Sequence, residues 1–315
     1  MRLGFAVSIV PVSALLLGAC ANGRSEEKPP AAAAPQQASA LGVKVAKADS
    51  PTSDAPAANP KAQNDAALGL DVAGLDPTQV DALDQLLDQK PSACGKSHSL
   101  RTSLKTDPAC KRSQFAARYL VKMLKAGLLG SEAEELYDKR FTSPEMGQCD
   151  LAEAPIRGNP SAKITLCEFS DFECPHCKMM EPILARLLEE YGDRIRLVYK
   201  NYPISKLHPE AREAAAAAVA AGRQGKFWAM HDKLFANQDH LTQADLAKYA
   251  ADLKLDMKKW KADLPAAEDR VEKDHAEGEK LDITGTPTLY IDGRKYSGPQ
   301  RYEEVKDWID EDLNR

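Results

Sequence analysis

The sequence predicts an α/β domain with a helical insertion, preceded by a small all-helical domain and a disordered N-terminal tether. In the C-terminal half, the β-rich apolar runs "AKITLCEF" and "RIRLVYKNYPI" alternate with helical segments. From about residue 71 to 147 the apolar positions recur only at helical spacing. Residues 20–70 almost lack large apolar side chains, so they cannot bury enough surface to offset the entropy lost on ordering.

Length and charge limit the possible functions. The chain has 315 residues, of which 43% are hydrophobic, and a formal net charge of −5. It is long enough for two domains with tails, and a real core can form. Because the net charge is mildly negative and no basic stripe occurs, we expect no nucleic-acid partner.

The N-terminus has the pattern of an export signal. Arg2 precedes an uncharged apolar run that ends in "LGAC", which resembles the lipobox of bacterial lipoproteins. The resemblance implies that residues 1–19 are a lipoprotein signal peptide and that Cys20 is lipidated, which anchors the chain to a membrane. Ala21 follows instead of aspartate, so by analogy we expect the periplasmic side of the cell envelope, at the outer membrane. An N-terminal membrane helix is the alternative.

The predicted helical domain spans residues 71–147. Asp76 is the expected N-cap of its first helix, with Pro77 at the first helical position. A loop is expected next, then a second helix that ends at Gly130. Ser131 and Glu134 have the spacing of a capping box for a third helix.

Cys94 and Cys110 flank the loop between the first two of these helices. In an oxidising compartment a disulfide between them would stabilise a small helical domain. A second redox pair or a metal site is the alternative.

The predicted α/β domain spans residues 148–315. After its two strands, helices are expected over Pro209–Gly222, Lys226–Asn237, Thr242–Leu253 and Ala266–Leu281. "TPTLYIDGRKY" predicts two short strands around an Asp292-Gly293 turn, and a helix ends the chain.

Cys174 and Cys177 enclose only Pro175 and His176, at the expected start of a helix. The free N–H groups and positive partial charge of a helix start favour a thiolate at Cys174, and a protonated His176 would favour it further. A disulfide here would restrain almost nothing as a structural bridge. A zinc site needs four ligands and a haem site needs C-x-x-C-H, whereas Lys178 follows Cys177. The pair therefore predicts redox chemistry without metal or cofactor.

"EFSDFECPHC" and "GTPTLYIDG" together resemble the DsbA-like thiol–disulfide oxidoreductases, which have the thioredoxin fold. The resemblance covers about residues 156–313, including the helical insertion. It implies that Cys174 is the exposed nucleophile and Cys177 the buried resolving thiol. It also implies a cis bond before Pro287, with Thr286 presenting backbone groups to the substrate.

Two further residues in the first strand are of interest. Glu168 occupies the position of the family's buried acid, which can relay the proton of the resolving thiol; a solvated glutamate is the alternative. Cys167 departs from the family's aliphatic residue. It could be a free core thiol or pair with Cys149, and the sequence does not choose between them.

These observations predict an envelope oxidoreductase that exchanges disulfides with cysteine-containing proteins, as an oxidase restored by a membrane-bound recycling partner. The alternatives are a reductase or isomerase, whose chemistry is the same in reverse, and a client-binding module without turnover. The role of the helical domain stays open between dimerisation, client binding and docking to an envelope partner.

Overall fold

The computed structural model describes residues 59–142 and 149–314. The predicted signal peptide 1–19, the lipidation site Cys20 and most of the predicted tether lie outside the described residues. Within the described ranges, the helices are all too short or too polar to cross a membrane.

Helices and strands follow one another in the order that the sequence predicts, with additions. The helices are α1 Pro60–Ala66, α2 Pro77–Gln89, α3 Leu100–Thr106, α4 Lys111–Lys125, α5 Gly130–Phe141, α6 Pro175–Tyr191, α7 Ala211–Gly222, α8 Phe227–Ala236, α9 Gln243–Asp252, α10 Met257–Lys280 and α11 Tyr302–Leu313. The strands are β1 Ile156–Gly158, β2 Ile164–Ser170, β3 Ile195–Asn201, β4 Thr288–Ile291 and β5 Arg294–Lys295.

The strands form one mixed sheet in the order β1-β3-β2-β4-β5. Strand β2 is central: it runs parallel to β3 and antiparallel to β4. All seven of its residues are buried, which is why it reads as a continuous apolar run rather than an alternating one. The predicted thioredoxin-like fold is confirmed.

Each face of the sheet is covered by helices. Helices α6 and α11 pack on the face that carries Leu166, through a cluster that includes Leu184 and Trp308. Phe169 and Cys167 lie in a separate cluster on the opposite face. The inserted helices α7 to α10 form their own core, which also takes in Cys174 and Cys177. The active-site segment is thus held between the sheet and the insertion.

Several predicted boundaries in the helical elements are wrong. Helix α3 lies within the predicted loop, because Ser99 caps its first turn. Helix α5 begins at Gly130, where Glu132 accepts from the Leu129 N–H at 2.7 Å, so the Ser131–Glu134 capping box does not form. Helix α10 begins at Met257 instead of residue 266, because Asp256 supplies the N-cap.

The predicted tether, residues 20–70, extends too far at its C-terminal end. Helix α1 lies inside the range 20–70, and its Asp65 side chain is fully buried. That carboxylate accepts a hydrogen bond from Arg101 at 2.8 Å. A buried ion pair and a capped helix explain why ordered contacts already begin before residue 70.

A buried charge cluster joins the helical region to the α/β region. The Glu311 carboxylate has no solvent exposure and contacts Arg112 at 2.8 Å, Arg140 at 2.9 Å and Arg294 at 3.0 Å. Arg112 and Arg140 belong to α4 and α5, whereas Glu311 belongs to α11. The two regions fall within one compact unit. The cluster is therefore a buried contact between them and not an exposed surface.

Candidate active site

The chain leaves β2 and reaches Cys174 in four residues. Cys174 is the N-cap of α6, with extended backbone angles (φ −70°, ψ 120°), and Pro175 follows at the first helical position. The Cys174 N–H donates to Asp171 O at 3.1 Å, and its carbonyl accepts from Lys178 N at 3.2 Å. The sulfur therefore sits at the end of the helix where backbone N–H groups have no internal partner.

The bond between Thr286 and Pro287 is cis, as the resemblance implies. The Cys174 thiol donates to Thr286 O at 3.3 Å, so this loop faces the cysteine. A residue that sequence analysis did not single out also holds the site: Gln238 Nε2 donates to the carbonyls of Phe172 and Cys174, both at 2.8 Å. Gln238 follows α8, so the insertion helps to position the active-site turn.

Cys174 is poised as a thiolate. A hydrogen bond from the Cys177 thiol lowers the pKa of Cys174 to about 5, against the effect of burial, with further help from Thr286 and from the backbone N–H groups of Cys177 and His176. The His176 side chain is exposed. The largest causes of the lowered Cys174 pKa include the backbone N–H of His176; the contribution of its imidazolium charge stays a prediction.

Cys177 has the opposite tendency. Its side chain is fully buried, and burial raises the pKa of Cys177 well above the usual value, followed by the hydrogen bond to Cys174 and the charge of Glu168. The Asp171 N–H lies 3.4 Å from the Cys177 sulfur. At neutral pH the pair thus holds one thiolate and one thiol that hydrogen-bonds to it.

Glu168 is fully buried on β2. Burial raises the pKa of Glu168 well above its usual value, and the nearby charge of Glu181 raises it further. Among the described residues, neither carboxylate oxygen has a hydrogen-bond partner. A carboxyl group whose pKa is raised in this way holds its proton more readily than a solvated glutamate, and it can give that proton to a neighbouring sulfur anion.

Sequence reasoning missed a polar cluster that includes Glu181, the residue whose charge acts on Glu168. The His231 ring is fully buried, with Nδ1 2.8 Å from Asp232 and Nε2 3.5 Å from Glu181. Glu181 lies four residues after Cys177 on the same helix, which is the only sequence signal that could have placed it near the site. His231 comes from α8 and gave no such signal.

The other four cysteines of the described ranges are bridged. Cys94 pairs with Cys110, the pair that sequence analysis expected, with a Cα–Cα distance of 6.1 Å. Cys149 pairs with Cys167 at a Cα–Cα distance of 6.5 Å, which decides the choice that the sequence left open. Among the described residues, only Cys174 and Cys177 are free, so the dithiol available for exchange is the one between β2 and α6.

Comparison with known proteins agrees with this geometry. The family model Thioredoxin_4, described as thioredoxin, matches residues 151–311. The Na(+)/H(+) antiporter NhaA 3 of Salinispora tropica is 40% identical over 152 residues, which are 48% of this chain and 23% of the antiporter. The NhaA antiporter of Herminiimonas arsenicoxydans is 35% identical over 194 residues, 59% of this chain and 31% of that protein. The chain thus spans under a third of the length of these relatives.

Solved structures to which this chain is similar include oxidised BdbD from Bacillus subtilis. It has a TM-score of 0.49 and 27% identity over 54% of this chain and 98% of that chain. A thioredoxin-like oxidoreductase from Silicibacter pomeroyi DSS-3 has a TM-score of 0.48 and 27% identity over 56% of this chain and 98% of that chain. The family match covers half of the sequence and contains the whole site. The chain therefore belongs to the thioredoxin family.

Proposed function

We propose that this protein exchanges disulfides with protein thiols in the cell envelope, and that it works as an oxidase. The single observation that carries the proposal is the opposite ionisation of the two neighbouring sulfurs: the pKa of Cys174 is lowered to about 5, while that of Cys177 is raised. A stabilised thiolate makes Cys174 both a good point of attack and a good leaving group.

The reaction starts from the Cys174–Cys177 disulfide. A client thiolate attacks the Cys174 sulfur, and the bond to Cys177 breaks. Cys177 leaves as a thiolate and takes a proton from Glu168, whose burial raises the pKa of its carboxyl group. A second client thiolate then attacks the client sulfur of the mixed disulfide, and Cys174 leaves as a thiolate. Two client thiols are oxidised to a disulfide, and the pair is reduced to the dithiol.

The direction follows from the same electrostatics. Each 1.4 kcal/mol that stabilises the reduced form raises the reduction potential by about 30 mV for a two-electron couple. A low pKa at Cys174 stabilises the reduced form only, since the disulfide carries no thiolate. A membrane-bound oxidant would accept two electrons and two protons to restore the disulfide.

Client binding is assigned to the loop that faces Cys174. Thr286 and Pro287 lie next to the sulfur, and a client segment would meet the backbone groups of Thr286 as it approaches. A reductase or isomerase would use the same contacts with electrons flowing the other way. A reduction potential in the strongly reducing range would favour that function over the oxidase.

The test is to mix the oxidised protein with a reduced, unfolded client protein and to count the remaining client thiols over time. An oxidase consumes two client thiols for each disulfide delivered. Cys177→Ser should trap a mixed disulfide at Cys174, and Cys174→Ser should abolish turnover. A client-binding module would keep its cellular role in Cys174→Ser, which would contradict the enzymatic proposal.

We also propose that Cys20 anchors the protein to the periplasmic face of the outer membrane. The support is the "LGAC" pattern and the Ala/Pro-rich tether that follows it. Cys20→Ala should release the protein from the membrane fraction and abolish incorporation of a labelled fatty acid. Retention in the membrane fraction with no label would instead indicate an N-terminal membrane helix.

A further inference from the structure

Asp171 occupies the turn between β2 and Cys174, and its side chain has no solvent exposure. Its Oδ1 accepts from Glu173 N at 2.8 Å. Its Oδ2 accepts from Ile204 N at 2.7 Å and lies 2.8 Å from His208 Nδ1. Because a carboxylate only accepts hydrogen bonds, it requires His208 Nδ1 to carry a proton. The catalytic turn is thereby tied to a histidine on the loop between β3 and α7.

His208 lies at the edge of the site. Its side chain is 18% exposed, and the preceding Leu207 is among the exposed large apolar residues. The imidazole can therefore exchange protons with solvent while Asp171 holds its orientation. The Asp171 backbone also accepts from Cys174 N at 3.1 Å, so the histidine and the reactive cysteine are both fixed to the same buried residue.

The groups that act on the His208 ring carry negative charge. Burial lowers the pKa of His208, but the hydrogen bond and charge of Asp171, followed by the charges of Cys174 and Glu173, outweigh it and raise the pKa overall. Glu173 in turn faces Glu210: burial and the hydrogen bond to Glu210 raise the pKa of Glu173. Among these groups, Asp171 is the one that contacts the His208 ring directly, at 2.8 Å.

We propose that His208 is the counter-charge of the Cys174 thiolate, and that Asp171 is the residue that positions the imidazole and keeps it protonated. The proposal gives the role of stabilising the Cys174 thiolate to a histidine outside the C-x-x-C motif. The side chain of His176, which lies within the motif, is exposed. The inference builds on the proposed role of Cys174 as the attacking thiol. Its test reads the ionisation of the sulfur and not the oxidation of a client.

The pair gives the site a pH response. Below the pKa of His208 the imidazolium stabilises the thiolate by an attraction that acts through the partly buried site. As the pH rises through that pKa, the attraction is lost. His208 therefore stabilises the Cys174 thiolate at pH values below the pKa of His208. In this range a cysteine thiol ionises less readily by itself.

The experiment uses the full chain, with the catalytic pair reduced by a mild thiol. The rate of Cys174 alkylation by iodoacetamide is followed against pH, and mass spectrometry of the Cys174 peptide gives the midpoint. His208→Gln should move the midpoint up by about one pH unit, as expected for losing one charge near the sulfur. His208→Lys, which keeps a positive charge, should restore most of that shift. His240→Gln is the matched control, because His240 is an exposed histidine in the same domain.

The inference is overturned if His208→Gln leaves the midpoint at the wild-type value, or if it shifts the midpoint no more than His240→Gln does. It is also overturned if His208→Gln shifts the midpoint and His208→Lys restores nothing, because the loss would then come from packing and not from charge.

A measurement on the wild-type chain covers the case in which the variants do not fold. Coupling between two titrating groups is reciprocal, so alkylating Cys174 should lower the NMR-measured pKa of His208. An unchanged His208 titration would overturn the inference. If this coupling is found while client oxidation is absent, the counter-charge stands and the proposed function fails. If clients are oxidised and the coupling is absent, the proposed function stands and the counter-charge fails.

Discussion

Two cysteine pairs lie near β2 in the sequence and have opposite properties: Cys167 belongs to β2, and Cys174 and Cys177 follow it at the start of α6. Cys167 and Cys149 are 2% and 6% exposed, and Cys174 and Cys177 are 5% and 0% exposed. Burial alone therefore does not distinguish the structural bridge from the free pair. Each pair also belongs to an apolar cluster. The difference lies at the sulfur atoms, because hydrogen-bond donors converge on Cys174. A cysteine becomes reactive through donors aimed at its sulfur, and apolar surroundings by themselves leave it inert.

The largest expected effect concerns the structural bridge. Replacing it in Cys149→Ala/Cys167→Ala should lower the free energy of unfolding by about 3 kcal/mol, because a closed loop of this size restricts the unfolded chain. The pH midpoint of Cys174 alkylation should not change. Urea denaturation measures the first quantity and alkylation the second. Cys94→Ala/Cys110→Ala is the matched control, since it opens a loop of similar length far from β2. A shifted Cys174 midpoint in the first variant alone would show that the two pairs are coupled.

The second effect concerns Glu168, the buried acid near the reactive pair. Glu168→Gln should slow reduction of the Cys174–Cys177 disulfide by a small thiol about a hundredfold, since an amide cannot give the leaving Cys177 sulfur a proton. Stopped-flow fluorescence follows the rate. Glu189→Gln, which changes an exposed carboxylate on α6, should leave the rate unchanged. Equal rates in wild type and Glu168→Gln would remove Glu168 from the mechanism.

The effect that is smallest per unit of pH is the pH dependence of stability in the dithiol form. The pKa of Cys174 is lowered from 9.0 to about 5 on folding. A lowered pKa contributes stability that is fully present above the unfolded value and is lost as the pH falls through the folded value. Between about pH 8 and pH 5 the reduced wild type should therefore lose up to about 1.4 kcal/mol per pH unit relative to reduced Cys174→Ala. Parallel pH profiles from urea denaturation under argon would contradict the lowered pKa.

Local patterns predicted much of the helical and strand content. Asp76 and Pro77 start α2 as expected, because capping and the fixed φ of proline act within one turn. The start of α5 was missed, because Glu132 and not Glu134 accepts the hydrogen bond that closes its first turn. Helix α1 was missed for a different reason. Its composition does not favour order, and it is held by an ion pair to Arg101, which lies 36 residues further along the chain.

The sequence by itself determined the reactive pair: two cysteines three residues apart, with a proline between them at a helix start, limit the chemistry to what that geometry allows. It also determined the sheet and its helical insertion, since hydrophobic periodicity is local. Only the tertiary structure paired Cys149 with Cys167, placed His208 on Asp171, and brought Gln238 and His231 from the insertion to the site. These contacts join residues far apart in sequence, and nothing in a residue's neighbours along the chain records which distant side chain will pack against it.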